Sequence, residues 1–309
     1  MIKRLVLILF ILKSFESFTQ DITPITSYSF DSDIFYQNQI ENLIKIYEQT
    51  KAVKTLDSLA SLSFIYKDWE TSIDYAKKAI EVNPTAERYF ILGGASGFRG
   101  LEVPILSSLK YVNIMKPAFE QAVRLEPMNV KYLRAQVDVL LSLPIILGGS
   151  INKAKQHIKK IKFLNPVEGF LAEGSMHEIN EDFDSAKQVY KQLFDFINQN
   201  YSFCSLTFIK DDRRNLAYDL GRIAADFELD LKWGQCALSY FIGTYGQSDT
   251  VPIAWVYFQS ARLAKSLKNT EQMNFLISKA LSNLKESPDQ ILKFLLNELK
   301  LWCDYILLL

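Results

Sequence analysis

The chain has 309 residues, of which 49% are hydrophobic, with 12 Gly, 9 Pro and 3 Cys, so it holds enough apolar surface for a folded core and too much for wholesale disorder. Its 35 Lys+Arg are balanced by 35 Asp+Glu with no long basic run, which excludes the phosphate neutralisation that nucleic-acid binding depends on. Two His and three Cys, widely spaced, exclude a Cys/His zinc domain, and no metal or other cofactor is expected.

Met1-Ile2-Lys3-Arg4 is a short basic start and residues 5–12 (LVLILFIL) are wholly apolar, the profile of a signal peptide over residues 1–19. Such a run makes roughly 12 Å of helix against a hydrocarbon core of ~30 Å, so export is expected rather than a stable membrane anchor. Ser17 and Thr19 stand three and one residues before an expected cut at Gln20. No Cys precedes Cys204, so a lipoprotein anchor has no acceptor near the new N-terminus. Removal of residues 1–19 takes Lys3, Arg4, Lys13 and Glu16 and leaves the chain close to neutral. Periplasm or cell surface is the expected location. Cys204, Cys236 and Cys303 read as buried thiols, and one internal disulfide is the most they could form.

Residues 20–52 read as a leader segment and an N-terminal helix, with Ile40, Leu43, Ile44 and Tyr47 on one face. A self-similar segment follows. Residues 69–84 (WETSIDYAKKAIEVNP) are echoed by 117–127 (PAFEQAVRLEP), by 152–166 (NKAKQHIKKIKFLNP) and by the start of 184–193 (DSAKQVYKQL).

This spacing resembles the tetratricopeptide repeat (TPR) family, whose 34-residue unit is a pair of antiparallel helices, A and B. Counted back from Pro84, the first unit places Leu56, Leu59, Ala60 and Ser63 in helix A and Ser72, Ala76 and Ala79 in helix B. Small residues are needed where the two helices cross most closely, and Pro ends helix B. The second unit begins at Tyr89, Leu92 and Gly93, with Gly97, Gly100 and Pro104 postponing its helix B. In the third, Tyr132, Ala135, Gln136 and Val139 belong to helix A, residues 144–150 form an extra loop, and Ser150 caps helix B. Pro127 follows Pro84 by 43 residues and Pro166 follows Pro127 by 39, so both units exceed the family length. The fourth starts near Val167 with Phe170 at position 4 and Gly174 at position 8.

A fifth unit from about Arg214 contains Leu220, Gly221, Ala224, Trp233, Ala237 and Phe241, and a sixth contains Tyr257, Ala261, Ala264, Ile277 and Ala280. Residues 286–309 read as a capping helix with Ile291, Leu292, Leu295, Leu299 and Trp302 at helical spacing. The resemblance implies an all-α, right-handed superhelical solenoid of antiparallel helix pairs over residues 53–285, each unit covering the apolar face of the next.

Catalytic chemistry finds little support. The glycines of residues 93–100 lack the flanking strand and the Lys-Ser/Thr of a nucleotide loop, and read as a flat helix face for close packing. His177-Glu178 lacks the second His of a zinc protease helix, and His177 falls at a packing position of the repeat. His157 and the lysines 153, 155, 159, 160 and 162 read as a solvated helix, with an anionic membrane surface or acidic partner as the sharper alternative. Asp211-Asp212 and the trio Asp226, Glu228 and Asp230 read as solvated turns and helix ends.

The expected function is therefore non-catalytic binding of a protein or peptide partner in a groove lined by A helices. A structural role in an envelope assembly and a helical carbohydrate-active enzyme are the alternatives. In TPR proteins helix-A positions 2, 5, 9 and 12 point into the groove. Here they fall on Asn215, Tyr218 and Arg222 in the fifth unit and on Trp255, Phe258, Arg262 and Lys265 in the sixth, an aromatic and basic set suited to an acidic segment. In the third unit they fall on Val130, Leu133, Val137 and Leu140, an apolar surface expected to be covered by the inserted loop.

Overall fold

The computed structural model describes residues 30–210, 213–284 and 289–306, with side chains as far as Lys300. The expected signal peptide and its cut, Asp211-Asp212, Pro288, the side chains of Trp302 and Cys303, and residues 307–309 lie outside the described residues. All regular elements among the described residues are helical, with no strand. The helices are α1 (Ile34–Thr50), α2 (Val53–Ile65), α3 (Trp69–Val82), α4 (Ala86–Glu102), α5 (Ile105–Leu125), α6 (Val130–Ser142) and α7 (Ile151–Leu164), followed by α8 (Pro166–Ile179), α9 (Phe183–Asn200), α10 (Asn215–Phe227), α11 (Leu231–Gly243), α12 (Ile253–Ser266), α13 (Thr270–Asn283) and α14 (Gln290–Ile306). They form two compact units, one of Ser29–Ser202 with Gly246–Ser248, the other with Phe203–Tyr245 and Asp249–Leu309.

In the first unit each helix packs on the next, and α2 also meets α4 as α6 meets α8, the pattern of stacked A/B pairs. N-caps set the starts: Asp68, Asn129, Ser150, Asn165 and Asp182 each accept a hydrogen bond from the first turn of their helix. The small positions lie where the helices cross, and Ser72 Oγ donates to the Ala60 carbonyl at 2.9 Å. Leu56, Leu59, Ser63, Ala76 and Ala79 are buried, each large aliphatic among them contributing ~1.5–3 kcal/mol. Tyr36 of α1 closes this end, donating to Asp68 at 2.7 Å with Ser63 beside it at 3.0 Å.

Two expectations about the long repeats are corrected. The second unit's extra residues are not a loop delaying helix B. Gly97 and Gly100 lie inside α4, only Val103-Pro104 interrupts the helical run, and α5 continues for 21 residues through Pro117. The glycines make this possible, because Phe119, Met115 and Tyr111 of α5 sit against Gly93, Gly97 and Gly100 in antiparallel order. In the third unit Leu133, Val137 and Leu140 are not covered by the inserted loop. They are buried among Ala122, Ala154, Ile158, Ala172 and Met176, so neighbouring helices cover them, and Val130 packs at the edge of the same cluster. The loop contributes Leu147 to a different cluster around Phe119 and leaves Ile145 and Ile146 exposed.

In the second unit α10 pairs with α11 and α12 with α13, while α10 also meets α12. Gly221 and Gly234 supply the close approaches, against Leu238 and Ala224 respectively. The fifth repeat lacks a terminal Pro. In its place Arg214 pins the α11–α12 connection, pairing with buried Asp249 and donating to the Thr244 carbonyl. Leu292, Leu296 and Leu299 of α14 bury in one cluster with Phe258, Ala261, Leu276 and Ile277, while Ile291, expected on the inward face, is exposed.

The buried-thiol reading of Cys204 and Cys236 is overturned. They form a disulfide with a Cα–Cα separation of 5.6 Å, and Cys204 lies at the surface. Sequence spacing gave no sign of it, since the connection that carries Cys204 back to α11 has no repeat signature.

Candidate protein-binding face

Asn215, Tyr218 and Arg222 follow one another at helical spacing on α10, and Trp255, Phe258, Arg262 and Lys265 do the same on α12. Because α10 and α12 are the first helices of successive pairs and pack together, the two rows become neighbours. Their meeting point is Asp226, one turn beyond Arg222. Arg222 Nη1 donates to Asp226 Oδ2 at 3.0 Å, and Arg262 pairs with the other oxygen of the same carboxylate. Arg262 also donates to Gln259 at 2.9 Å and to the Ala225 carbonyl at 3.4 Å. Both guanidinium groups stay partly solvent-exposed, at 22% and 32% of their side chains.

Tyr218 stands half-buried above this cluster. Burial holds its phenol protonated well above the usual tyrosine range, against the pull of Arg222, and Gln259 hydrogen-bonds to it. Asn215 is exposed, and Lys265 is half-buried in the last turn of α12.

The two aromatics of α12 are placed differently from the sequence reading. Phe258 is buried in the core with Leu292 and Leu296, where it supports the Arg262 guanidinium from 5.8 Å. Trp255 is half-buried and its indole N–H donates to Asp289 at 2.9 Å, while the other oxygen of Asp289 accepts the Leu292 amide and caps α14. Both rings therefore hold the terminal helix in place, and the solvent-facing chemistry of the face rests with Asn215, Arg222, Arg262 and Lys265, with Tyr218 half-buried beside them.

Asp226 and Gln259 were not named as site residues by the sequence reading. Asp226 belonged to an acidic trio read as solvated, yet its position four residues after Arg222 is an ion-pair spacing. Its second partner, Arg262, is 36 residues away and is supplied by the packing of α10 on α12.

Elsewhere, His177 is less a packing residue than expected. Met176 fills the core, while His177 Nδ1 lies 3.2 Å from Asp182, the cap of α9. His157 is half-buried rather than solvated, and burial with Lys160 and Lys153 nearby lowers its pKa. Among the described residues no group of three or more His, Cys, Asp or Glu converges as a metal site, and no helix is long and apolar enough to cross a membrane.

No protein-family model matches the sequence, and neither does any curated protein. Solved structures do. A tetratricopeptide repeat protein from Parabacteroides merdae is 13% identical with a TM-score of 0.50, the match covering 93% of this chain and 99% of that one. The yeast Tom70 is 14% identical with a TM-score of 0.50, the match covering 87% of this chain and 52% of Tom70. Helix pairs stacked through small residues, with no strand among the described residues, agree with this likeness, and the chain has the all-α fold of the tetratricopeptide repeat proteins.

Proposed function

We propose that the chain is an exported, non-catalytic scaffold that binds a protein or peptide partner along the α10/α12 face. The carrying observation is the pair of partly exposed arginines held by one carboxylate. Asp226 fixes both guanidinium groups in place without neutralising them fully, so an acidic segment or a C-terminal carboxylate meets preorganised donors. Lys265 extends the same face with a third cationic head, and Tyr218 backs it from a half-buried position. The disulfide supports export, because such bonds persist in oxidising compartments.

Binding of fluorescein-labelled Glu-rich and Lys-rich peptides, followed by anisotropy, tests this reading. The Glu-rich peptide is expected to bind and to weaken with salt, and Arg222→Ala with Arg262→Ala to cost about tenfold or more in affinity. Equal binding of both peptides, or a double variant that binds as the parent does, would sink the proposal.

A further inference from the structure

The second repeat exceeds its neighbours in a specific direction. Its helices run 17 and 21 residues, against 13 and 14 in the first repeat and 13 and 14 in the third. At 1.5 Å per residue the α4–α5 hairpin is longer by roughly 6 Å on one leg and 10 Å on the other. From Leu101 to Lys110 only Val103 and Ser108 are other than exposed; Val103 packs at the edge of the cluster around Trp69, and the other side chains face solvent.

The projecting tip is aliphatic. Leu101, Ile105, Leu106 and Leu109 are all exposed, Leu106 to 84%. The inserted loop of the third repeat joins it. Leu147 packs against the same cluster as Val112 and Met115, and Gly148 lies against Lys116, so the loop meets α5 about two to three turns from its start. There Ile145 and Ile146 are each 89% exposed, and Ile151 follows at the start of α7. Two insertions to the 34-residue unit have thus left exposed aliphatic side chains both at the α4–α5 tip and on the loop that packs farther along α5.

Lysines surround them. Lys110 on α5 and Lys153 and Lys155 on α7 are exposed, and both helices are the second of their pair and start at this edge. Lys159 continues the row along α7. Of the acids at this end, Glu102 is engaged by the Trp69 indole at 2.7 Å and by Arg99 at 3.3 Å, Glu70 is held by Tyr111 and Arg99, and on the flanking turns Asp68 and Asp182 cap α3 and α9.

From this composition we infer that the edge formed by the α4–α5 tip and the α6–α7 loop is a docking surface for an anionic lipid bilayer. The tip extends past the shorter neighbouring hairpins, its exposed apolar residues are aliphatic, and the exposed cations beside them are lysines. Protein hot spots favour Trp, Tyr and Arg in pockets, whereas reversible lipid binding rewards inserted aliphatic area together with lysines near anionic headgroups. Binding of this kind is peripheral and uses none of the residues of the α10/α12 face.

The test uses the full chain with Leu106→Trp, followed by indole fluorescence and by sedimentation with vesicles. Equal parts of phosphatidylglycerol and phosphatidylcholine are expected to shift the introduced indole's emission to the blue, and phosphatidylcholine alone is not. Leu106→Asp with Ile146→Asp, both at exposed sites that leave the helical circular dichroism and melting unchanged, is expected to cut vesicle-bound protein by about tenfold or more. An introduced indole that stays in water with both vesicles overturns the inference, as does one that shifts equally with both. A blue shift that depends on protein concentration without lipid assigns the edge to a second copy of the chain and also overturns it.

Discussion

Replacing Gly174 by Leu is expected to lower the stability of the first unit by about 3 kcal/mol, and replacing it by Ala to cost part of that. A Cβ at this position would lie 2.1 Å from Tyr190 Cε1 and 2.4 Å from its Cζ, so the clash begins with the first carbon of any side chain. The ring has nowhere to move. Tyr190 is fully buried in α9, and its hydroxyl donates to Glu178 of α8, so displacement would expose a packed ring and break a hydrogen bond together. The measurement is a urea titration, read as a lower midpoint at unchanged slope. Gly174→Leu melting with the parent would show that α8 and α9 do not cross at this residue.

Loss of the disulfide is the second large effect. Cys204→Ser with Cys236→Ser releases a loop of 32 residues, and the chain-entropy treatment puts the loss at about 3–4 kcal/mol for the second unit. Reductant added to the parent protein should lower the same thermal transition by a similar amount, leaving the first unit's transition in place. Mass spectrometry after alkylation gives an independent readout. Protein recovered from an oxidising compartment should take up alkylating reagent at Cys303 and not at the other two. Modification of all three without reductant would remove both the bridge and the support it lends to export.

The site was legible in part. Helical periodicity and the repeat register placed Asn215, Tyr218 and Arg222 in one row and Trp255, Phe258, Arg262 and Lys265 in another, because a 3.6-residue period is a local property of the chain. Periodicity could not tell which members of a row face solvent. Phe258 and Trp255 were drawn inward by α14, whose Leu292 and Asp289 come from residues far along the chain. Asp226 likewise acquired its role only when α12 brought Arg262 to it.

By itself the sequence determined the helix-pair unit: small residues at the crossings, an N-cap residue such as Ser150 at a helix start, and prolines where second helices stop. These signals act within a few residues, so they survive in a linear reading. Tertiary structure decided what depends on distant partners. Gly97 and Gly100 lengthened the first helix of the second repeat instead of postponing the next one because Met115 and Tyr111 fill the space they leave. Leu133, Val137 and Leu140 became core because neighbouring helices reach them before the inserted loop does. Cys204 met Cys236 because a segment without repeat character returns to α11. In each case side chains compete for one surface, and the outcome depends on which elements approach first in space, a quantity that no local pattern encodes.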